Sequence, residues 1–365
     1  MQDLLVTPPV SWNTSYDTDQ RSNLVTNWRM PIEGHEHERL WMAWPTSGYT
    51  LGDTEAEVEE ARRTWAAVAN AASEFEAVTV VVHPGDEEIA TKYLASQIDR
   101  HVAPLNDAWM RDIGPSFVIG DNGELGAVNY VFNGWGGQDW AQWDNDQHIG
   151  RIVAEASGAT LIDSKMTNEG GGIQVDGTGR VILTETVQLD PGRNPGWTRD
   201  QVEAELARTI GTTSAMWLPR GLFRDHDTFG TRGHSDILAA FATPGQLLMH
   251  RQDSESHPDH QIARTNREVA ERYLDDTSAG FEIIDMPAPT VLRDDEGFVD
   301  YSYINHVVLN GAVLACAFED PADDQALATL REVYPGRTVI GIDARPLFAR
   351  GGGIHCITQQ QPKVA

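Results

Sequence analysis

Lysine, cysteine and long apolar runs are all scarce in this chain. Its 365 residues carry 27 lysines and arginines against 55 acids, a formal net charge of −28, and only Lys92, Lys165 and Lys363 are lysines. So few cations leave no basic surface to neutralise phosphates, which argues against nucleic acid and anionic membrane as partners. The same acidic field would draw in a cationic substrate. Two cysteines, Cys316 and Cys356, make no disulfide framework. No stretch approaches the ~20 apolar residues of a membrane span. The start, Met1-Gln2-Asp3-Leu4-Leu5-Val6, lacks the basic region and apolar run of a signal peptide. The expectation is a cytoplasmic protein. Hydrophobic residues make up 40% of the chain, enough for a sizeable core at a length that large single α/β domains reach.

Residues 1–28 are polar and read as an irregular N-terminal segment, and residues 29–365 as one domain. Helical periodicity predicts helices over 54–75, 86–96, 146–157, 198–210, 259–273 and 322–333. Short apolar runs predict strands over 77–82, 116–119, 127–132, 172–175, 181–184, 234–241, 246–250, 281–284, 307–309, 313–317 and 339–342. Hairpin turns are signalled by Asp121-Asn122-Gly123, Asp176-Gly177-Thr178-Gly179 and Asn310-Gly311. The strand-turn-strand-helix rhythm recurs about every 60–70 residues, and repeats of that size suggest a closed, propeller-like architecture. A faint echo between Gly170-Gly171-Gly172-Ile173-Gln174 and Gly351-Gly352-Gly353-Ile354-His355 supports the repeat.

Against this background Cys356 stands out. It follows three glycines near the end of the chain, and glycine lets backbone bend tightly and approach a ligand closely. A thiolate there could attack electron-poor carbon. The structural alternative is a buried cysteine in a C-terminal strand. Three polar clusters accompany it: Asn106 to Pro115, with Trp109, Arg111 and Asp112; Glu169, just before Gly170-Gly171-Gly172; and Gly233-His234-Ser235-Asp236. If His234 opens a strand, a period of two puts His234, Asp236 and Arg232 on one face. Each residue has a plain structural alternative as ion pair, turn cap or core histidine. Together they meet one chemical need. A guanidinium is planar and cationic, and fixed carboxylates grip it in paired hydrogen bonds. A tryptophan can lie against its face. Its central carbon stays open to a thiolate, and a histidine can protonate the departing amine and later activate water.

At these residues the chain resembles the Porphyromonas-type peptidyl-arginine deiminase family of the guanidine-modifying superfamily, and within it the agmatine deiminases. The resemblance runs from about Met30 to Gln361. It rests on Met30-Pro31-Ile32-Glu33, His37 to Pro45, Asn106 to Pro115, Phe132 to Gly137, Glu169 to Gly172, Arg193-Asn194-Pro195, Trp217-Leu218-Pro219, Gly233 to Asp236, Ser302 to Asn305 and Gly351 to Gln360. It implies a five-bladed, pseudo-symmetric α/β propeller of ββαβ-like units, the pentein fold. It implies Cys356 as the nucleophile that forms an amidino-cysteine, His234 as general acid and base, and Asp112 and Asp236 as the guanidinium clamp. Glu169 is implied as a further acidic partner and Trp109 as a channel wall. Arg111 reads as structural, since a cation facing a cationic substrate would repel it. The implied reaction converts agmatine and water to N-carbamoylputrescine and ammonia, a step toward putrescine, with no cofactor and no metal.

Two departures bear on the substrate. The family often has asparagine where this chain has Gly353, beside the substrate-binding loop, so a side-chain contact is absent there. Arg232 replaces a residue that many relatives keep neutral. It is either half of a structural ion pair or a site for a carboxylate, which agmatine lacks. Other guanidines (free arginine, a guanidino acid, peptidyl-arginine), an amidinotransferase and a non-catalytic guanidine binder remain rival readings. A homo-oligomer is left open. His35-Glu36-His37 and His257-Pro258-Asp259-His260 look like metal ligands but lack an evident third group. Cys316 reads as inert core.

Overall fold

Helices form where a capping residue precedes an amphipathic run. At Glu55–Ser73 the Thr54 hydroxyl accepts from the Glu57 N–H while the Glu57 carboxylate accepts from the Thr54 N–H. This reciprocal capping box satisfies two otherwise orphaned donors. Thr198 and Gln201 repeat it at Arg199–Ile210. The first helix buries Ala61, Trp65, Val68, Ala69 and Ala72, the spacing of a single face. Replacing either threonine cap with alanine would cost about 1 kcal/mol.

The computed structural model describes residues 27–364, and the expected N-terminal segment lies outside it up to residue 26. Its strands follow one plan five times. An antiparallel pair is followed by a helix, and the chain returns as a third strand parallel to the second. In the second unit these are Ser116–Gly120, Leu125–Val131, helix Ile149–Ser157 and Thr160–Thr167. The third has Gln174–Val175, Arg180–Thr184, Arg199–Ile210 and Ser214–Leu218. The fourth has Ala239–Thr243, Gln246–Arg251, Asp259–Thr277 and Glu282–Pro287. The fifth has Val307–Leu309, Ala312–Ala317, Asp323–Val333 and Thr338–Asp343. The first unit is assembled from both ends of the chain. Thr358–Pro362 pairs antiparallel with His37–Ala43, and Val78–Val82 returns parallel after the helix. The ring is thereby closed by hydrogen bonds between the last strand and an early one, so that His37–Ala43 is paired on both sides. This is the five-bladed α/β propeller that the resemblance implied.

All three signalled hairpin turns join antiparallel strands. The expected strand over 234–241 is a correction. His234 is followed by a 3-10 turn at Ser235–Ile237, and only Ala239–Thr243 is strand. Arg232 sits at φ 70°, in the left-handed region, so no pleat aligns it with His234 and Asp236. Among the described residues no helix is long and apolar enough to cross a membrane.

The plan also fixes where chemistry can gather. Each unit's first strand is entered through a short irregular turn. Those turns are residues 109–115, 169–173, 234–238, 302–306 and 351–357. They carry Asp112, Glu169, His234 with Asp236, Asn305, and Cys356.

Candidate active site

Glycine lets two of these turns approach each other. A methyl group on Gly171 would lie 2.5 Å from His234 Nδ1, 3.0 Å from Asp112 Oδ1 and 3.1 Å from Asp236 Oδ2. Three functional side chains therefore converge on one point, and any residue but glycine would fill it. A methyl on Gly352 would meet the Trp109 ring at 2.7 Å and Cys356 Sγ at 3.0 Å. The glycine loop of Cys356 is thus required by close approach.

Asp112 is held by two donors: the Gly171 N–H to Oδ1 at 3.1 Å and Trp135 Nε1 to Oδ2 at 2.9 Å. Burial pushes its carboxyl up to about 6; the His234 charge opposes that rise, while Glu169 and Asp236 add to it. Asp236 Oδ2 accepts from His355 Nδ1 at 2.8 Å, and Oδ1 is buried with no partner among the described residues. Burial opposes its ionisation, but His355 and His234 outweigh that and hold the carboxyl below its ordinary value. The far nitrogen of His355 donates to Glu33 at 2.6 Å.

His234 is wedged between carboxylates. Nε2 donates to Glu169 at 3.2 Å, and Nδ1 lies 3.8 Å from Asp112, unpartnered among the described residues. Burial disfavours the imidazolium, yet Asp112, Glu169 and Asp236 raise its pKa to about 9. Glu169 is fully buried, and Arg193 Nε donates to both of its oxygens at 3.0 Å. Burial would raise its pKa, but Arg193 and His234 outweigh it and hold the carboxyl near 2.

Cys356 Sγ receives a hydrogen bond from Asn305 Nδ2 at 3.3 Å and lies 3.5 Å from Asp236 Oδ2. Burial, then the charges of Asp236 and Asp112, push the thiol well above its ordinary pKa. These surroundings favour the thiol over the thiolate. A narrow cavity leads to it, lined among others by Trp109, Asp112, Trp135, Trp140, Phe229 and Cys356.

The structure thus brings together Cys356, His234, Asp112 and Asp236, with Trp109 in the wall. Two expected substrate contacts are revised. Glu169 stands behind the imidazole with its oxygens engaged by Arg193, so it grips His234 rather than the cavity. Gly353 packs against Asn305 and Phe348, where an added methyl would meet Asn305 Oδ1 at 2.5 Å. Arg232 donates to Asp190 at 3.3 Å, the ion-pair alternative. Arg111 is buried behind the site, on the His355 carbonyl and near Glu33. Cys316 is fully buried, and burial lifts its thiol to about 12. Sequence reading left Asn305, Trp135, Glu33, Arg193 and His355 without roles, although all lie in motifs that carry the resemblance. Among the described residues no cluster of three or more His, Cys, Asp or Glu could hold a metal ion. His37 instead meets Glu76, and His260 the Gln252 carbonyl.

Residues 29–362 match the family described as Porphyromonas-type peptidyl-arginine deiminase. A Streptomyces coelicolor protein with agmatine deiminase as its provisional name is 52% identical over 336 residues, covering 92% of this chain and 99% of its own. The agmatine deiminase of Stutzerimonas stutzeri is 35% identical over 362 residues, covering 91% and 95%. Among solved structures, the agmatine deiminase of Enterococcus faecalis matches with a TM-score of 0.85 at 29% identity, covering 92% and 96%.

Proposed function

The chain belongs to the Porphyromonas-type peptidyl-arginine deiminase family, and on that basis we propose that it hydrolyses agmatine to N-carbamoylputrescine and ammonia. The observation that carries this reading is the meeting of a thiol, an imidazolium and two carboxylates at the end of one closed aromatic cavity. Asp112 and the vacant Oδ1 of Asp236 receive the guanidinium N–H groups in charge-assisted bonds. The arriving cation neutralises the two charges that, after burial, hold the thiol's pKa up. Its charge takes the place of the thiol proton, which leaves to solvent, and the thiolate attacks the guanidinium carbon. Protonated His234 gives its Nδ1 proton to the departing nitrogen, which leaves as ammonia, and an S-amidino-cysteine remains. Neutral His234 then takes a proton from water as the oxygen adds to the same carbon, and the collapse expels the thiolate as the second water proton passes to solvent and the carbonyl forms. Glu169, fixed by Arg193, orients the imidazole and supports its charge. A nucleophilic thiol with no disulfide partner suits the reducing cytoplasm.

The charges of the site set an expected pH profile. Asp112 must be ionised to hold the cation, and His234 must be protonated to release ammonia. kcat/KM should therefore fall as pH drops through about 6 and again as it rises through about 9. Asp112→Asn should lower kcat/KM at least tenfold, since a charge-assisted bond is worth roughly 1.5–3 kcal/mol, and should flatten the acid limb. An acid limb that persists unchanged in this variant would assign it to another group.

Substrate choice follows from which cations are free. Arg232 is engaged by Asp190. Arg350 reaches the cavity wall, but it donates to the carbonyls of Thr50, Glu57 and Pro346 and to Glu60. A substrate carboxylate would be left without a cationic partner, which is costly in a closed cavity. Agmatine should be preferred over arginine by at least ~100-fold in kcat/KM, about 2.7 kcal/mol. Ammonia release measured with both substrates side by side tests this. Equal or better use of arginine would remove agmatine as the substrate and leave the deiminase chemistry standing.

A further inference from the structure

The cavity has to open, because the groups that grip the substrate are buried: Cys356 is 5% exposed and Asp112 6%. Above them two segments 180 positions apart in the chain meet. Tyr49 comes from the segment between strand His37–Ala43 and helix Glu55–Ser73. Phe229 comes from the long connection into the fourth unit. Their rings stack at 3.6 Å and 5°, and Phe229 also abuts Trp140, whose ring stacks on Trp135. An aromatic wall thus runs from the Asp112 clamp to the mouth.

The two sides of the stack are held differently. Tyr49 Oη donates to the Ala349 carbonyl at 2.7 Å, beside the loop that carries Cys356. Its neighbour Thr50 is buried, accepting from Trp109 Nε1 at 3.2 Å, while its carbonyl accepts from Arg350 Nε at 2.9 Å. The Tyr49 side is therefore anchored to the cavity floor. Phe229 sits at φ 70°, a backbone region costly for a residue with a side chain. Strain of this kind persists only where surrounding contacts hold it, and the ring stack is one such contact.

We infer that Tyr49 and Phe229 form a gate that determines substrate class, resting on the reading of the cavity as a guanidine site. The gate parts, through Phe229, to admit a slender alkylguanidine and stacks again behind it. A guanidine carried on a peptide backbone continues in two directions from its side chain and cannot be enclosed. The closed stack therefore excludes peptidyl-arginine and shields the thiol from solvent.

The test uses the full chain with Tyr49→Ala, Phe229→Gly and Tyr49→Phe. Phe229→Gly removes the ring and tolerates the backbone angle. Two quantities are read: the rate at which iodoacetamide alkylates Cys356 without substrate, and the ratio of kcat/KM for agmatine to that for N-benzoyl-argininamide. Opening the gate should speed alkylation at least about tenfold and lower the ratio by a similar factor in both ring-deleting variants. Tyr49→Phe retains the stack and should stay closer to wild type than to Tyr49→Ala on both readouts. Should either variant fold poorly, Phe229→Leu, which cannot stack, should move both quantities in the same direction. Folded variants that keep the wild-type alkylation rate and substrate ratio overturn the gate. Alkylation needs no turnover, so a wild-type enzyme inactive on agmatine would defeat the functional reading and still leave the gate testable.

Discussion

Cys356→Ala should leave no measurable agmatine turnover, a loss of about 10⁴-fold or more, while agmatine still binds. Sγ is the one soft nucleophile in the cavity, and the other cysteine is fully buried in the fifth unit. On the proposed mechanism the grip on the guanidinium lies in Asp112 and Asp236, neither of which needs the sulfur for its own hydrogen bonds. Binding should even tighten slightly, because the cation no longer has to displace a thiol proton. Calorimetric titration of the variant with agmatine, alongside an ammonia assay, separates the two effects. Cys356→Ser should resemble the alanine variant, since a hydroxyl is far less acidic than a thiol. Appreciable turnover by Cys356→Ala would sink the covalent mechanism.

His234→Ala should lower kcat by about 10²–10⁴-fold, the usual worth of a positioned acid–base group. The loss should be uneven between the two halves of the reaction. The proton needed to release ammonia can be borrowed from solvent when the gate opens, whereas activation of water rests on the imidazole, since Asp112 and Asp236 are engaged by the bound cation. Mass spectrometry of this variant after mixing with agmatine should find an adduct on Cys356. A second consequence tests the same assignment electrostatically. The His234 charge opposes the upward shift of Asp112. Without it, burial, Glu169 and Asp236 are opposed less, with the Trp135 hydrogen bond still in place, so the acid limb of kcat/KM should move above pH 6. An acid limb left in place, with no adduct at any pH, would mean that His234 is structural.

Local pattern was enough for the helices, the three hairpin turns and the reaction class. Capping boxes, amphipathic spacing and Asn-Gly turns act over a few residues, so their energetics are written in adjacent positions. The motifs around Cys356, His234 and Asp112 were legible for the same reason, since each is a short run shaped by one turn. The partner of the closing strand was not. Thr358–Pro362 carries three glutamines, yet all five residues are buried, because its glutamines find partners elsewhere. Gln361 accepts from Trp41 and Gln359 donates to the Pro115 carbonyl.

The roles within the site were likewise settled by packing between distant segments. Glu33 reaches His355 across 322 residues, and Arg193 captures Glu169 across 24. That capture turns an expected substrate ligand into the support of His234. Arg232 lost its assumed place on a strand face to a turn, and its charge went to Asp190, 42 positions away. Composition and periodicity contain the groups and the chemistry they favour. Which group meets which is decided only when five turns are brought to one axis, because hydrogen bonds and buried charges depend on ångström distances that no local pattern encodes.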